Sequence, residues 1–455
     1  MHPDKMTNKK VAIWGMGQEG RSVFARLKNN PLEELLCVDD SCSGHNMIST
    51  EQMKDKIEKG NLDVIIKSPG ISLYDPIIDL ARKRGVQVTS MTNMWIEEHG
   101  QAKVVAVTGT KGKSTTAKLI HFLLKKAGID AALGGNVGIP LYDLNPGHAL
   151  YIIEMSSYQL ADFAGYVDVV VFLDLFPEHA VWHRTHAQYY QDKTSLLARA
   201  RKAVIISGAV LKEYGHLINA GVQVTCHDAM EGFHVRDNDL YCGNTRVTPA
   251  HSTLKGRHNL RNLAAACSAL SVLGVDPTGY LDGMAEFVPL PHRLQEVAEL
   301  DGVLFVDDTL STIPQSTVQA VAIYYPRTMS LILGGTDRRQ DYAWLATALM
   351  PYQDRIKSIH AIPDNGERII REFRAAHYAG DMSFVPDLET AVKASRASLT
   401  EGGVVLFSPA APRGQRFENS DARGMLFAQL ATMQPANQPT KTGNHLFSQS
   451  LKNRI

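Results

Sequence analysis

Short apolar runs that stop at a glycine, aspartate or serine and give way to helix-like stretches recur along this chain, and that alternation limits its possible folds more than any other feature. VAIWG (11–15), ELLCVDD (34–40), DVIIKSPG (63–70) and VQVTS (86–90) form a first series. VVAVTG (104–109), YIIEMSS (151–157), DVVVFLD (168–174) and AVIIS (203–207) form a second. VLFVDD (303–308), MSLILGG (329–335), SIHAI (358–362) and VVLFSP (404–409) form a third. The runs are continuously apolar, the mark of strands covered on both faces. Such strands alternating with helices give parallel, doubly wound sheets. The pattern therefore predicts an α/β chain in three blocks. From about 222 to 256 it changes to short, alternating, turn-rich pieces, which predict a small antiparallel sheet. GRHNLRNLAAACSALSVLG (256–274) reads as a helix closed by Gly274. The two prolines of VPLPHR (288–293) mark a linker. The residues from Pro435 onward are polar and aperiodic and read as a loose tail. The expected domains are 1–96, 97–290 and 291–434, followed by the tail 435–455.

Charge narrows the partners. Lys plus Arg number 47 and Asp plus Glu also 47, so no overall basic footprint for nucleic acid or a membrane surface exists. The five cysteines, Cys37, Cys42, Cys226, Cys242 and Cys267, are odd in number and show no CxxC spacing. A reducing compartment fits them better than a disulfide framework or a zinc site. No signal peptide and no membrane-spanning run is read in the sequence, so a cytoplasmic protein, and a monomer, is expected.

Two glycine turns carry the chemistry. Gly15-Met16-Gly17-Gln18-Glu19-Gly20 follows a strand and opens a helix, with Asp39 ending the next strand. This matches the dinucleotide fingerprint, in which glycines let the backbone approach a pyrophosphate at a helix N-terminus. By itself it leaves open a nicotinamide or flavin role, another diphosphate, or a tightly packed turn. Ser68-Pro69-Gly70 ends a later strand and can line the same crevice. The second turn is Thr108-Gly109-Thr110-Lys111-Gly112-Lys113-Ser114-Thr115, between strand VVAV and helix TAKLIHFLLKKAG. Its backbone N–H groups can cradle phosphate, Lys113 can meet the β- and γ-phosphates, and Ser114 can ligate Mg²⁺. It departs from the full P-loop because Val107 occupies the first glycine position. A lysine-rich surface turn is the ordinary alternative, and the strand–turn–helix context speaks against it.

The segment resembles the shortened P-loop of the Mur ligases and the related folate ligases, and further segments follow in the family's order. Gly134-Gly135-Asn136-Val137-Gly138 is similar to its GGN-[IV]-G turn. Glu154-Met155-Ser156-Ser157-Tyr158-Gln159-Leu160 is similar to its E-x-S-S-[FY]-Q-L strand end. Glu178-His179 stands where the family has an acidic residue and histidine, and Lys193 where it has a carbamylated lysine. Gly256-Arg257-His258-Asn259-Leu260-Arg261-Asn262 matches G-x-H-N-x-x-N, Pro291-His292-Arg293 matches P-H-R, and Asp308 matches a strand-end aspartate. The resemblance covers nearly the whole chain except its tail. It is strongest to members that add glutamate to UDP-N-acetylmuramoyl-L-alanine.

The resemblance implies three domains: a Rossmann-like one for a UDP-sugar, a central P-loop ATPase type with a small antiparallel sheet, and a Rossmann-like C-terminal one for the amino acid. It implies an ATP-dependent ligase of peptidoglycan precursor synthesis that activates a carboxylate as an acyl phosphate. The cofactors are ATP and Mg²⁺ or Mn²⁺, with Lys193 carbamylated. Catalysis falls to Lys113, Glu154, His179 and Lys193, and metal ligation to Ser114, Glu154, His179 and Lys193. ATP is expected at Gly109, Thr110, Lys111, Gly112, Lys113, Ser114, Thr115, Asn259, Asn262, Arg293 and Asp308. The UDP-sugar is expected at Gly15, Gly17, Gly20, Asp39, Ser68, Gly70, Asn136, Ser156 and Gln159. The amino acid is expected at Thr312, Arg338, Ser408 and Arg413. Bland alternatives stand beside several of these. A lone His179 is more often a satisfied histidine and a lone Lys193 a solvated one. Asn259 and Asn262 could cap their helix, and Arg293 could make an interdomain salt bridge.

The amino-acid residues depart from the family pattern. Where the usual glutamate ligase reads D-S-K-A-T-N, this chain has Asp308-Thr309-Leu310-Ser311-Thr312-Ile313. Arg338 replaces a lysine, Arg413 a serine and Ser420 a phenylalanine; elsewhere, Lys111 stands for asparagine. Arginines grip carboxylates in a bidentate fork, so an acidic amino acid still fits. The altered cradle favours L-glutamate over the usual D-glutamate. A folate-type polyglutamate ligase, a dinucleotide oxidoreductase and a catalytically inactive scaffold are the rivals. The N-terminal block argues against the first, the idle later motifs against the second, and the presence of Glu154, His179, Lys193 and Arg293 against the third.

Overall fold

A computed structural model describes residues 1–40, 44, 46–414 and 416–433; Cys42 and the expected tail from Pro435 lie outside the described residues. The chain divides into two compact units between Pro289 and Leu290, within the VPLPHR segment.

The first unit holds two parallel sheets. Strands β1 (Lys10–Trp14), β2 (Glu34–Val38), β3 (Met47–Ile48), β4 (Val64–Lys67) and β5 (Gln87–Ser90) lie in the order β3-β2-β1-β4-β5. Strands β6 (Val104–Thr108), β7 (Ala131–Gly135), β8 (Leu150–Glu154), β9 (Val167–Phe172), β10 (Ala200–Ile206) and β11 (Gln223–Cys226) lie in the order β11-β10-β9-β6-β8-β7. Every residue of β4, β6, β8 and β9 is buried, as continuously apolar strands require. A small antiparallel sheet follows, of β12 (Phe233–Arg236), β13 (Asp239–Cys242) and β14 (Thr245–Arg246).

Register positions the site. In the parallel pairing of β6 with β8, Val107 stands opposite Glu154. The glycine turn after β6 therefore emerges beside that carboxylate. The helix Lys113–Lys126 packs on Arg257–Val272 through Leu119, Ile120, Leu123, Leu263, Ala266, Cys267 and Leu270, all buried. Alanines along the second helix keep the pair close, and the helix ends where Gly274 adopts a positive φ.

The second unit is one sheet of β15 (Gln295–Leu300), β16 (Val303–Asp307), β17 (Met329–Leu333), β18 (Ile356–Ala361), β19 (Met382–Phe384) and β20 (Val404–Phe407). The order is β15-β16-β20-β17-β18-β19, parallel except for the β15–β16 pair.

Four strands are absent from the sequence reading. β15 alternates with charges at a half-solvated edge, β3 and β19 are very short, and β7 is Ala- and Gly-rich. One expectation is corrected. Residues 223–226, assigned to the small antiparallel sheet, instead pair in parallel with β10 at the edge of the large sheet. Their exposed, polar face looks the same from sequence in either place. Among the described residues no helix is long and apolar enough to cross a membrane.

Candidate active site

The phosphate-type loop is built between two tight packings. Gly109 lies against Leu173, and Gly112 has φ +84° at the start of helix Lys113–Lys126. A side-chain carbon on Gly112 would stand 2.3 Å from Asn262 Oδ1, so the loop and the helix Arg257–Val272 are pressed together there. Thr110 ties the loop to its surroundings. Its N–H donates to Asp174 O (2.8 Å), and its hydroxyl accepts from Phe176 N (2.9 Å) and bonds Tyr189 OH (2.7 Å). Lys113 Nζ folds back on Thr110 O at 3.0 Å, and Lys111 Nζ meets Glu178 Oε1 at 2.8 Å. Ser114 and Thr115 occupy the first turn of the helix, whose N-terminus favours an anion. Asn262 Nδ2 donates to Asn259 Oδ1 (3.1 Å), so the two asparagines share a face. No side chain caps that helix: Asn259 Nδ2 donates to Lys255 O (2.8 Å), and the capping alternative does not apply.

Glu154, His179 and Lys193 surround this loop. Glu154 is fully buried; its Oε1 accepts from Asn136 Nδ2 at 2.9 Å, and its Oε2 has no partner. An unsatisfied buried carboxylate oxygen is costly. His179 sits between Tyr158 OH (Nδ1, 2.9 Å) and Glu178 Oε2 (Nε2, 3.3 Å). Burial pulls its pKa down to about 4, against the pull of Glu178, which leaves the imidazole neutral at pH 7. Lys193 is not the solvated lysine of the bland reading. Its Nζ is buried and donates to Gly109 O at 3.0 Å. Burial first, then Lys113, holds its pKa well below the ordinary lysine value. Among the described residues no group of three His, Cys, Asp or Glu stands together as a ready metal cluster.

The expected UDP-sugar residues fall into two groups. Met16 N donates to Asp39 Oδ2 (3.0 Å) and Ser68 Oγ to Gly15 O (2.6 Å), which joins the first turn to Asp39 and to the Ser68–Gly70 turn. Gly20 lies against Gly15 O, while Gly17 and Gly70 face open space. Asn136, Ser156 and Gln159 gather at the end of β8, where Ser156 and Gln159 form a reciprocal capping box. Glu19 links the groups by accepting from Gln159 Nε2 at 2.7 Å.

Sequence reasoning missed two buried networks here. Asp192 accepts from His183 Nδ1 (2.6 Å) and from Tyr74 OH (2.6 Å), and His183 Nε2 meets Ser157 Oγ at 3.0 Å. A carboxylate only accepts, so Nδ1 donates to Asp192. This chain fixes the β8 turn against the helix that bears Lys193. The second network sets Glu19 near Lys67 and Asp162. Lys67 Nζ, buried, lies 3.7 Å from Asp162 Oδ2.

In the second unit Asp308 is buried and accepts from Ser408 Oγ (2.6 Å), Ser311 Oγ (2.5 Å) and Leu294 N (3.3 Å). Burial raises its pKa to about 6. Ser408 therefore faces Asp308 rather than solvent. Arg293, Arg338 and Arg413 are exposed, and Thr312 is half-buried. Thr336 Oγ1 donates to Arg413 O (2.5 Å), and Gln340 bonds Arg338 N (2.8 Å) and Thr312 O (3.5 Å). Thr312, Arg338 and Arg413 thus stand on interlinked loops.

Residues 107–270 match the Mur ligase middle domain. The chain is 35% identical to a Micromonospora protein named UDP-N-acetylmuramoyl-L-alanine–L-glutamate ligase, over 97% of this chain and 100% of the relative. A protein of the same name from Xanthomonas euvesicatoria is also 35% identical, over 96% of this chain and 98% of its own. Among solved structures, MurF from Acinetobacter baumannii superposes with a TM-score of 0.60 at 15% identity, covering 95% of this chain and 92% of that one. MurF from Thermotoga maritima, in complex with ADP, gives 0.57 at 17% identity, covering 94% and 96%.

Proposed function

Because the chain belongs to the Mur ligase family of ATP-dependent, amide-forming enzymes, we propose that it joins L-glutamate to UDP-N-acetylmuramoyl-L-alanine in peptidoglycan precursor synthesis. The observation that carries the chemistry is the unpartnered Glu154 Oε2, buried beside a phosphate-type loop.

In this reading the alanyl carboxylate attacks the γ-phosphorus of ATP. The bond to ADP breaks and an acyl phosphate forms. The glutamate amine then attacks the acyl carbon, loses a proton, and phosphate leaves. Transfer between anions needs cations and fixed geometry. Loop N–H groups and Lys113 hold the phosphates, while Asn259 and Asn262 take the nucleoside. Ser114, Glu154, His179 and a modified Lys193 suit Mg²⁺ or Mn²⁺; the unpartnered Oε2 of Glu154 and the neutral imidazole of His179 support the fit. Bound there, such ions would neutralise phosphate charge. A free ammonium on Lys193 cannot ligate. Its lowered pKa favours the neutral amine, which adds CO₂ to give a carbamate and release a proton. Gly15, Gly17, Gly20, Asp39, Ser68 and Gly70 are assigned to the UDP end of the substrate.

The preference for L-glutamate rests on the names of the relatives and on the reworked residues Leu310, Arg338 and Arg413. Purified enzyme supplied with UDP-N-acetylmuramoyl-L-alanine, ATP and each glutamate enantiomer should release phosphate and form product with the L form. Faster turnover of D-glutamate would reject the stereochemical assignment, and no turnover of either would reject the substrate.

A further inference from the structure

Arg423 is a fully buried arginine bonded to main-chain carbonyls rather than to a carboxylate. It enters the interior from the helix Ser420–Thr432, whose N-terminus is capped by Asn419. Its Nη2 donates to Thr309 O at 2.8 Å and Ala411 O at 3.3 Å. Its Nη1 donates to Pro412 O at 3.2 Å and reaches Gly334 O at 3.5 Å. The guanidinium centre lies 5.6 Å from the centroid of the Phe407 ring. Burial lowers the pKa to about 10, so the group stays charged at neutral pH.

Those carbonyls belong to three different loops. Thr309 follows β16, Gly334 follows β17, and Ala411 and Pro412 follow β20. The three strands are neighbours, in the order β16-β20-β17. Their loops leave the carboxyl ends of a parallel sheet, where open α/β folds hold ligands. The same loops carry Thr312, Arg338, Ser408 and Arg413. The packing is close enough that a side-chain carbon on Gly335 would stand 2.0 Å from Pro412 O and 3.0 Å from Arg423 Nη1. A planar fork of five donors can serve several carbonyls at fixed angles; a lysine ammonium, a compact point charge, cannot reproduce that.

We propose that Arg423 is a positioning residue for the incoming amino acid, holding the three loops in one register so that Arg338 and Arg413 meet its carboxylates, without touching the substrate itself. The proposal rests on the amino-acid role assigned to those loops.

The test is steady-state kinetics of Arg423→Lys and Arg423→Gln in the full chain, well below each variant's melting temperature. The expected result is a KM for L-glutamate raised roughly tenfold or more, with KM for ATP and for UDP-N-acetylmuramoyl-L-alanine within about twofold of the parent. In Arg423→Ala, added guanidinium ion should bring the glutamate KM back toward the parent value. A lowered melting temperature with an unchanged glutamate KM would overturn the proposal. If the Arg423 variants do not fold, Gly335→Ala displaces the same carbonyl contact from the loop side, and an unchanged glutamate KM there overturns it equally. Arg338→Ala and Arg413→Ala separate the two layers of the argument. Unchanged glutamate KM in both sinks the assignment of the loops, whereas a raised KM there with Arg423→Lys unaffected sinks only the positioning role.

Discussion

Glu19 places a carboxyl group inside a glycine turn of the kind that usually receives a diphosphate, and Lys193 buries an amine beside a phosphate-type loop. Each is half of an unusual charge environment. Burial raises the Glu19 pKa from 4.5 to about 7; Gln159 and Lys67 oppose the rise and Asp162 adds to it. The folded state therefore keeps the proton longer than the unfolded chain does. Stability falls as pH climbs from about 4.5 to about 7, because the unfolded state loses its proton first. Glu19→Gln cannot ionise and keeps an acceptor for Gln159. Relative to the parent it should gain stability across that window and level off above it, by roughly 1–3 kcal/mol. Urea melts at pH 5 and pH 8 read the difference, and equal gaps at the two pH values would show that Glu19 stays ionised throughout. Lys193→Ala removes the group assigned to carbamylation. It should lose activity by about 100-fold or more and regain part of it with added short carboxylates. A fully active variant would remove the carbamate from the mechanism.

At the scale of elements, the loop 109–112 is pressed against the helix Arg257–Val272 at the proposed nucleotide end of the site. Gly112→Ala forces a side chain into a left-handed conformation, at about 1–2 kcal/mol, and drives its carbon against Asn262. The helix must shift or the loop must open. Nucleotide affinity measured by calorimetry should fall about tenfold or more, and parental affinity would mean that the loop does not hold the nucleotide in this shape. The turn 109–112 was legible in the sequence because its glycines and lysines stand at fixed local spacing between an apolar strand and a helix. The central strands were legible because burial on both faces makes them predominantly apolar, charged residues such as Lys67, Glu154 and Asp168 standing at or next to their ends. β15 was not, since QEVAEL at an edge looks like solvent-facing chain, nor was the parallel pairing of β11. Glu19, Lys67, His183, Asp192 and Arg423 were missed for a related reason. A charged side chain defaults to solvent, and only partners distant in sequence determine that these are inside.

For the whole molecule, each compact unit carries its own core. Leu304, Val306, Leu331, Leu333, Ile359, Ile369 and Phe373 pack on one side of the second unit's sheet, and Phe305, Phe407, Val392 and Phe427 on the other. A sheet covered on both faces buries enough apolar surface to fold independently. One of its two edges, β15, is guarded by the exposed Glu296 and Glu299. A fragment of residues 290–433 is therefore expected to fold alone, with a cooperative urea transition and a stability in the range of about 5–15 kcal/mol typical of single domains. Near-ultraviolet circular dichroism reports whether its aromatic side chains are fixed. The buried Arg423 sharpens the expectation, because all its carbonyl partners lie within this fragment. In the isolated fragment Arg423→Gln should lower the urea midpoint by leaving those carbonyls underserved, without abolishing the transition. A fragment with secondary structure but no cooperative transition would mean that this unit's core is completed by the rest of the chain.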